Sequence, residues 1–168
     1  MSIYPHTKKA LKCCKNKGKS SFGVGVIKTN KIFKTFTSKE TQKLAEDILA
    51  NLINKAPKDK ALVLALSGNL GSGKTTFAQG LGKYLKIKGR INSPTFVVMK
   101  RFGNFYHFDC YRLEKPEEVL ELGWEEIIAD PKNIVAIEWP EKIKKFLPKQ
   151  THFLKFKFIN ETQREIKI

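Results

Sequence analysis

The sequence predicts an α/β domain with a mixed parallel and antiparallel sheet, and three observations support this prediction. Residues 61–66 and 133–138 form short runs that are apolar on both faces, which is typical of strands buried between helices. Segments with helical periodicity lie before, between and after these two runs. The last runs, "HFLKFKFI" and "REIKI", alternate as the strands of an antiparallel hairpin do. Together these patterns favour three layers, with helices on both faces of one sheet.

The first predicted elements are a short strand and a capped helix. Apolar and polar residues alternate in "KIFKTF", which predicts a strand near residues 31–36. Thr37-Ser38-Lys39-Glu40 then forms a capping box, in which a hydroxyl accepts from an early helical N–H and the glutamate reaches back. Apolar residues at helical spacing follow over residues 44–53, so we expect a helix there.

The second half of the chain supplies further strands and helices. Residues 95–102 and 105–109 predict two strands, and the Gly-Asn pair between them predicts a tight hairpin turn. The stretch "PEEVLELGWEEIIAD" predicts one continuous helix with its proline in the first turn. The stretch "PEKIKKF" predicts a short helix that follows the second buried strand.

Composition places the chain among globular proteins and makes it strongly basic. Hydrophobic residues make up 41% of the 168 residues, and the formal net charge is +16. Residues 1–36 contain nine lysines and no acid. We interpret residues 1–30 as a basic, flexible N-terminal extension and residues 31–168 as the folded domain. Direct RNA binding by this extension stays open beside the simpler alternative that its lysines are only solvated.

Membrane, secreted and zinc-binding classes are disfavoured. No apolar run approaches the roughly 20 residues that a membrane helix needs, and the N-terminus lacks the apolar stretch of a secretory signal. The three cysteines include no Cys-x-x-Cys pair, so neither zinc nor a disulfide framework is indicated. Unpaired thiols suit a reducing compartment, and we therefore expect a cytoplasmic protein.

A glycine-rich loop between the first buried strand and the next helix predicts a nucleotide site. The pattern Gly68-x-x-x-x-Gly73-Lys74-Thr75 is that of a phosphate-binding loop, whose backbone N–H groups converge on phosphates at a helix N-terminus. Lys74 is expected to reach the β- and γ-phosphates, and the hydroxyl of Thr75 to ligate Mg²⁺. The candidate nucleotide-binding residues of this loop are Asn69, Leu70, Gly71, Ser72, Gly73, Lys74, Thr75 and Thr76.

Other features narrow the class of nucleotide-binding protein. The guanine-specific pattern Asn-Lys-x-Asp is absent, which favours ATP over GTP. Small-molecule kinases bring arginines on a mobile lid to the transferring group, whereas the four arginines here are scattered. The kinase interpretation is weakened but stays open as an alternative.

Two acids follow buried apolar strands and are candidate catalytic groups. Glu138 ends the run "NIVAIE", and Asp109 ends the strand in "HFDCYRL". An acid in this position of a phosphate-binding-loop fold holds Mg²⁺ or orients the attacking water. The sequence does not decide which acid does which. We expect His107 to be structural, and Trp139 to be equally compatible with a place in the core.

Five stretches together resemble one family, that of the bacterial tRNA threonylcarbamoyladenosine biosynthesis protein TsaE, also called YjeE. They are "GNLGSGKTTF", "SPTF", "HFDCYRL", "ELGWEEII" and "IEWPEKI", and they come in the order of the family. The resemblance covers about residues 37–168. Two departures stand out: residues 1–30 have no counterpart, and Asn69 replaces the usual aspartate.

The resemblance implies a phosphate-binding-loop ATPase that is weak when alone and acts with the proteins TsaD and TsaB. Its nucleotide would be ATP with Mg²⁺, its role in the tRNA modification regulatory, and its contact with tRNA indirect through the complex. The family implies that Thr75 and Glu138 hold Mg²⁺, that Asp109 is needed for hydrolysis, and that Thr95 acts as a switch near the γ-phosphate. Ser38 and Arg164 resemble family positions near the nucleotide.

Overall fold

The computed structural model describes residues 31–89, 91–94 and 97–168. The extension predicted for residues 1–30 and the switch residue Thr95 lie outside the described residues. The elements in chain order are strand β1 (Ile32–Thr35), helix α1 (Ser38–Ile53), β2 (Leu62–Ser67), α2 (Lys74–Tyr84), β3 (Met99–Phe102), β4 (Phe105–Asp109), α3 (Glu118–Glu121), α4 (Trp124–Ala129), β5 (Ile134–Glu138), a 3₁₀ helix (Pro140–Phe146), β6 (His152–Phe158) and β7 (Arg164–Lys167).

Seven strands form one mixed sheet in the order β1-β7-β6-β2-β5-β4-β3. Strand β2 lies in the middle and pairs in parallel with β5 and β6, and β5 pairs in parallel with β4. The outer pairs β1–β7, β6–β7 and β3–β4 are antiparallel. The predicted α/β class, the mixed sheet and the terminal hairpin are therefore confirmed.

Two hydrophobic cores lie on opposite faces of the sheet, as the three-layer prediction requires. Helices α1 and α2 cover one face, and their apolar side chains pack against alternate residues of β2, β5 and β6. Helices α3 and α4 and the 3₁₀ helix cover the other face over β2, β5 and β4. Within the described ranges, no helix has the length and apolar character that crossing a lipid bilayer requires.

The capping box starts α1 as predicted, with Thr37 as the capping residue. The Thr37 hydroxyl accepts from the Glu40 N–H at 3.1 Å, and the Glu40 carboxylate accepts from the Phe36 N–H at 2.9 Å. The Thr37 hydroxyl satisfies an N–H that the first turn leaves without an intrahelical acceptor, and the Glu40 carboxylate reaches back to the residue before the cap. Ser38 is consequently the first helical residue and does not cap the helix.

Two predicted elements were wrong in extent. Strand β3 begins at Met99, four residues later than predicted, because the backbone of Val98 is left-handed with φ 58° and interrupts an extended run. The helix predicted over residues 116–130 is two short helices. Gly123 has φ 74° between them, a conformation that glycine adopts without a Cβ clash and that ends α3.

Gly80 sets how closely α1 and α2 pack. A Cβ atom at this position would lie 2.3 Å from the Gln42 carbonyl oxygen and 2.7 Å from the Ala45 Cβ. Gly82, two residues further on, would place its Cβ 1.9 Å from Cδ1, the terminal atom of the Ile91 side chain, instead. The two glycines of α2 therefore differ in what surrounds them, one facing backbone and the other a side chain that can move.

We predict that Gly80→Ala lowers the free energy of unfolding by about 1–3 kcal/mol, because α1 must move away from α2. Gly82→Ala is the matched control, since the gain in helix propensity of up to about 1 kcal/mol offsets a rotamer change of Ile91. Urea denaturation of both variants measures the difference. Equal stabilities of the two variants would contradict this account of the α1–α2 contact.

Candidate active site

The glycine loop joins the end of β2 to the start of α2 in a conformation that requires glycine. Gly68 has φ 143°, and a Cβ there would lie 2.3 Å from the Phe156 carbonyl oxygen. Gly73 has φ 99° and precedes α2, whose N-terminus has no side-chain cap. The first helical bond runs from the Phe77 N–H to the Gly73 carbonyl at 2.9 Å, so earlier amides stay available for an anion.

A cavity of about 600 Å³ opens in front of this loop. That size is within the usual range for small-molecule sites. Ten predicted site residues line it: Ser38, Leu70, Gly71, Gly73, Lys74, Thr75, Thr76, Asp109, Glu138 and Arg164. Asn69 and Ser72 belong to the loop but do not line the cavity. The Asn69 carbonyl accepts from the Ser72 N–H at 3.2 Å, and Ser72 is fully buried.

The Lys74 ammonium group is held by the loop itself. Its Nζ donates to the carbonyl oxygens of Gly68 at 2.7 Å and Asn69 at 3.0 Å. It also lies 4.3 Å from the centre of the Trp139 ring, a cation–π distance. Burial lowers the pKa of Lys74, and the charges of Glu138, Asp109 and Glu141 oppose that shift. The Lys74 ammonium group therefore lies at the cavity, where an anionic ligand can replace the carbonyl oxygens that hold it.

Glu138 is the meeting point of three elements. Its Oε1 accepts from the Thr75 hydroxyl at 2.8 Å and lies 3.0 Å from His107 Nε2. Glu138 is 3% exposed and His107 is fully buried. Strand register explains the arrangement, because Glu138 of β5 lies beside Leu66 of β2 and Asp109 of β4. A buried carboxylate needs such donors to offset its loss of hydration.

The residues present fit a magnesium ion. Mg²⁺ prefers oxygen ligands in an octahedron at about 2.0–2.1 Å, so neighbouring ligands lie roughly 3 Å apart. The Thr75 hydroxyl and the Glu138 carboxylate are hard oxygen donors separated by 2.8 Å at the cavity. No group of three or more His, Cys, Asp or Glu ligands occurs in the described part of the chain. Two protein ligands suffice when substrate phosphates and water complete the shell.

Asp109 is buried at the same end of the sheet, with its carboxylate bonded on both oxygens. Ser93 donates its hydroxyl to Asp109 Oδ2, and the Tyr111 N–H donates to Oδ1 at 3.1 Å. Ser93, Asp109 and Tyr111 all line the cavity. Asp109 is therefore coupled to the loop that precedes β3.

Arg164 reaches the glycine loop from the far strand β7. Its Nε donates to the Gly71 carbonyl at 3.2 Å, and its Nη1 donates to the Asn160 carbonyl at 2.7 Å. The guanidinium carbon lies 4.6 Å from the centre of the Phe158 ring. Ser38 lies at the cavity wall as the first residue of α1. The segments that contain Ser38 and Arg164 are far apart in the chain and therefore meet at one cavity only through the fold.

Comparison with known proteins decides the family. The model of the family described as "Threonylcarbamoyl adenosine biosynthesis protein TsaE" matches residues 35–166. This chain belongs to the TsaE family. The match covers most of the chain and includes all the cavity residues named above.

Curated TsaE relatives agree with this placement. A Nostoc protein named tRNA threonylcarbamoyladenosine biosynthesis protein TsaE is 49% identical over 89 residues, which are 48% of this chain and 54% of the relative. A Rickettsia typhi protein of the same name is 35% identical over 76% of this chain and 87% of its own length. The matched part thus spans about half of the first relative and most of the second. These names support the tRNA-modification interpretation and give no support to the kinase alternative.

One solved structure of similar fold is that of YdiB from Bacillus subtilis. The two chains superpose with a TM-score of 0.62 at 27% sequence identity, covering 81% of this chain and 82% of that one. The likeness covers about four fifths of each chain and supports the predicted fold class.

The sequence assigns no site role to two residues of this TsaE site. His107 is predicted to be structural, and in the structure its imidazole contacts the Glu138 carboxylate. Alternation along β4 puts His107 on the same face as Asp109, but the contact with Glu138 also depends on β5 being the neighbouring strand. Trp139 was left open as a core residue, and it lines the cavity beside Lys74 with a left-handed φ of 59°. No feature of the sequence indicates the left-handed backbone of Trp139.

The His107 contact is best explained as positioning of the Glu138 carboxylate. His107 Nδ1 is buried without a hydrogen-bond partner among the described residues. The tautomer with its proton on Nε2 therefore donates to Glu138 and leaves only a lone pair unpaired. Such an outer contact fixes the orientation of a metal-ligating side chain.

We predict that His107→Leu weakens Mg²⁺ binding in the presence of an ATP analogue by about tenfold or more. His107→Gln keeps an N–H donor and should retain more of the affinity. Titration of Mg²⁺ against fluorescent-nucleotide binding measures both, and thermal melting controls for folding. If both variants melt earlier by the same amount and leave the Mg²⁺ dependence unchanged, His107 is only a core residue.

Cys110 follows Asp109 and is not a nucleophile at neutral pH. Burial, with smaller contributions from the charges of Asp109 and Glu141, raises the pKa of its thiol to about 12. A thiol whose pKa is higher in the folded than in the unfolded protein stabilises the fold at pH values below the unfolded pKa. This stabilisation is lost as the pH rises from the unfolded pKa toward the folded pKa. The stability contribution of Cys110 should therefore fall above about pH 9.

We predict that the difference in unfolding free energy between the parent and Cys110→Ala shrinks by about 1.4 kcal/mol per pH unit above pH 9. Urea denaturation between about pH 8 and pH 10 measures it, and the variant cancels the titration of all other groups. A pH-independent difference would show that the thiol titrates normally in the folded protein.

Proposed function

We propose that this TsaE family protein is a weak Mg²⁺-dependent ATPase that acts with TsaD and TsaB in forming threonylcarbamoyladenosine on tRNA. One observation carries the ATPase part of the proposal. The Lys74 ammonium, the Thr75 hydroxyl and the Glu138 carboxylate converge on one cavity at the uncapped N-terminus of a helix. That combination of cation, metal ligands and free amides suits a triphosphate.

Lys74 changes partners when the nucleotide binds in this proposal. Its ammonium leaves the carbonyl oxygens of Gly68 and Asn69, which hold it at 2.7 and 3.0 Å, and donates to phosphate oxygens instead. The loop amides and Lys74 then stabilise the negative charge that develops on hydrolysis. Mg²⁺ held by Thr75 and Glu138 neutralises further phosphate charge when it is bound.

Asp109 is the better candidate for orienting the attacking water. Glu138 Oε1 lies 2.8 Å from the Thr75 hydroxyl, which pairs these two groups as the proposed metal ligands and leaves Asp109, on the neighbouring strand at the same cavity, for the water. The water oxygen attacks the γ-phosphorus, the bond from phosphorus to the bridging oxygen breaks, and ADP and inorganic phosphate leave while one proton of the water is released to solvent. Asp109 holds the water in line with that bond.

The loop before β3 offers a route from hydrolysis to a partner protein. Ser93 in that loop is bonded to Asp109, and the hairpin of β3 and β4 continues from it. A change at the γ-phosphate alters the contacts of Asp109 and hence the position of this loop, as in other nucleotide switches. Val97 lies in the same segment and is 57% exposed.

The names of the relatives supply the biological setting of the proposal. Relatives from Nostoc and Rickettsia carry the name tRNA threonylcarbamoyladenosine biosynthesis protein. In this setting ATP binding and hydrolysis reset a complex with TsaD and TsaB between turnovers, in the cytoplasm. TsaD carries out the transfer to tRNA, and this chain contacts tRNA through the complex.

We predict that Lys74→Ala lowers ATP turnover by about a hundredfold or more, because a phosphate contact strengthened in the transition state is lost. Lys83→Ala is the matched control, since Lys83 is an exposed lysine in the last turn of the same helix. A phosphate-release assay measures both variants. Parent-like turnover by Lys74→Ala would refute the proposed site.

We further expect turnover to be slow for the protein alone and to rise when TsaD and TsaB from the same source are added. The same assay with each partner alone, and with both, locates the stimulation. Equal turnover in all mixtures, together with a phosphorylated small-molecule product, would instead support a kinase.

A further inference from the structure

The outer face of β1, β7 and β6 is a basic surface that the structure leaves uncovered. We call Lys34, Phe153, Lys155, Lys157, Glu165 and Lys167 the basic strand face. Alternation along the strands points these side chains away from the core that α1 and α2 form. All four lysines are exposed, and Phe153 is 54% exposed. The second helical layer covers β2, β5 and β4 but not these strands.

The register of the strands places like charges side by side. Lys155 of β6 lies directly opposite Lys167 of β7, and Glu165 lies between Lys157 and Lys34. No acid of the described residues lies within 4.0 Å of these four ammonium groups. Like charges directly opposite each other destabilise a sheet. A local arrangement that opposes stability indicates a function more often than chance.

The lysine richness of the chain does not explain this surface, because the charges are separated. Residues 114–130, which include α3 and α4, hold seven acids and one lysine. Elsewhere lysines meet acids, as Lys43 does with Asp47 at 2.9 Å. The basic strand face holds four lysines and one acid without such pairs. Positive charge is therefore concentrated on one half of the sheet.

We propose that the basic strand face binds the phosphate backbone of RNA directly. Lysines arranged in two rows across three strands offer a polyanion several contacts, and each contact releases counterions. Phe153 adds an exposed ring on which an unpaired base can stack. Residues 1–30, which lead into β1, hold seven lysines and no acid. Repulsion between these lysines and those of the basic strand face disfavours residues 1–30 as the segment that covers the face.

The proposal rests on the proposed function, which makes tRNA the RNA to test. It adds a direct contact to the indirect one expected through TsaD and TsaB. The face lies on β1, β7 and β6, and its lysines are not among the residues that line the nucleotide cavity. RNA binding and ATP turnover can thus be lost separately.

The first experiment measures binding of the full chain to a fluorescent, unmodified tRNA transcript at several salt concentrations. For Lys155→Gln/Lys157→Gln/Lys167→Gln we expect an affinity about tenfold weaker at low salt. The slope of log affinity against log salt should become shallower by about two. Phe153→Ala should weaken binding several-fold with an unchanged slope.

The matched control removes three exposed lysines, Lys58, Lys60 and Lys132, from the loops before β2 and β5. It should bind RNA as the parent does. Melting temperatures check folding, and the face variant should melt close to the parent, because the like-charge pair Lys155–Lys167 is relieved while the opposite-charge pair Lys157–Glu165 is lost. ATP turnover with TsaD and TsaB is measured on every variant and should match the parent. If the parent itself shows no ATP turnover with TsaD and TsaB, that result counts against the proposed function and not against RNA binding by the basic strand face.

Four outcomes would overturn the proposal. The face and control variants would weaken RNA binding equally, the parent would not bind the transcript even at low salt, or a variant with Lys8, Lys9 and Lys12 changed to Gln would account for all of the affinity. The last result would assign RNA binding to the N-terminal segment. Parent-like RNA binding by the face variant with reduced stimulation by TsaD and TsaB would assign the face to a protein partner instead.

Discussion

The Oε1 atom of Glu138 is the contact on which the site depends. It joins the Thr75 hydroxyl of α2 to the His107 imidazole of β4, so that α2, β5 and β4 are fixed to one another. The arrangement exists because β2, β5 and β4 run in parallel and end at the same edge of the sheet. Charged and polar groups that are scattered along the chain meet there because register places them in line. The strand order therefore determines which polar groups meet at the site, and the loops supply the remaining groups.

Several side chains of the site are held by contacts within the protein. Lys74 bonds to two loop carbonyls, Asp109 accepts two hydrogen bonds, and Trp139 adopts a left-handed backbone beside the ammonium. In the proposed function a nucleotide replaces the carbonyl contacts of Lys74, so its affinity is a difference between two sets of interactions. Backbone strain such as the left-handed conformation of Trp139 costs on the order of 1–3 kcal/mol and occurs mostly at functional sites.

Local features could be predicted from the sequence, and non-local ones only in part. The strand, glycine loop and helix around Lys74 are encoded by neighbouring residues, as are the cap at Thr37 and the terminal hairpin. The helix break at Gly123 was missed because a single glycine in a helical pattern is compatible with either outcome. The contact of His107 with Glu138 depends on which strands are neighbours, and composition does not specify that. The proximity of Arg164 to Gly71 was obtained only through a family resemblance.

The central place of β2 has a consequence for how the chain folds. Leu62 pairs with Ile134 and Leu64 with His152, so both neighbours of this strand come from much later in the chain. Pairings of high sequence separation close large loops and form slowly. The hydrogen bonds of the strand that carries the glycine loop are therefore made late, after α1 and α2 can already pair with each other. In a nascent chain β2 is thus without its strand partners until β5 and β6 have been made, and an unpaired apolar strand of this kind is prone to aggregation during synthesis.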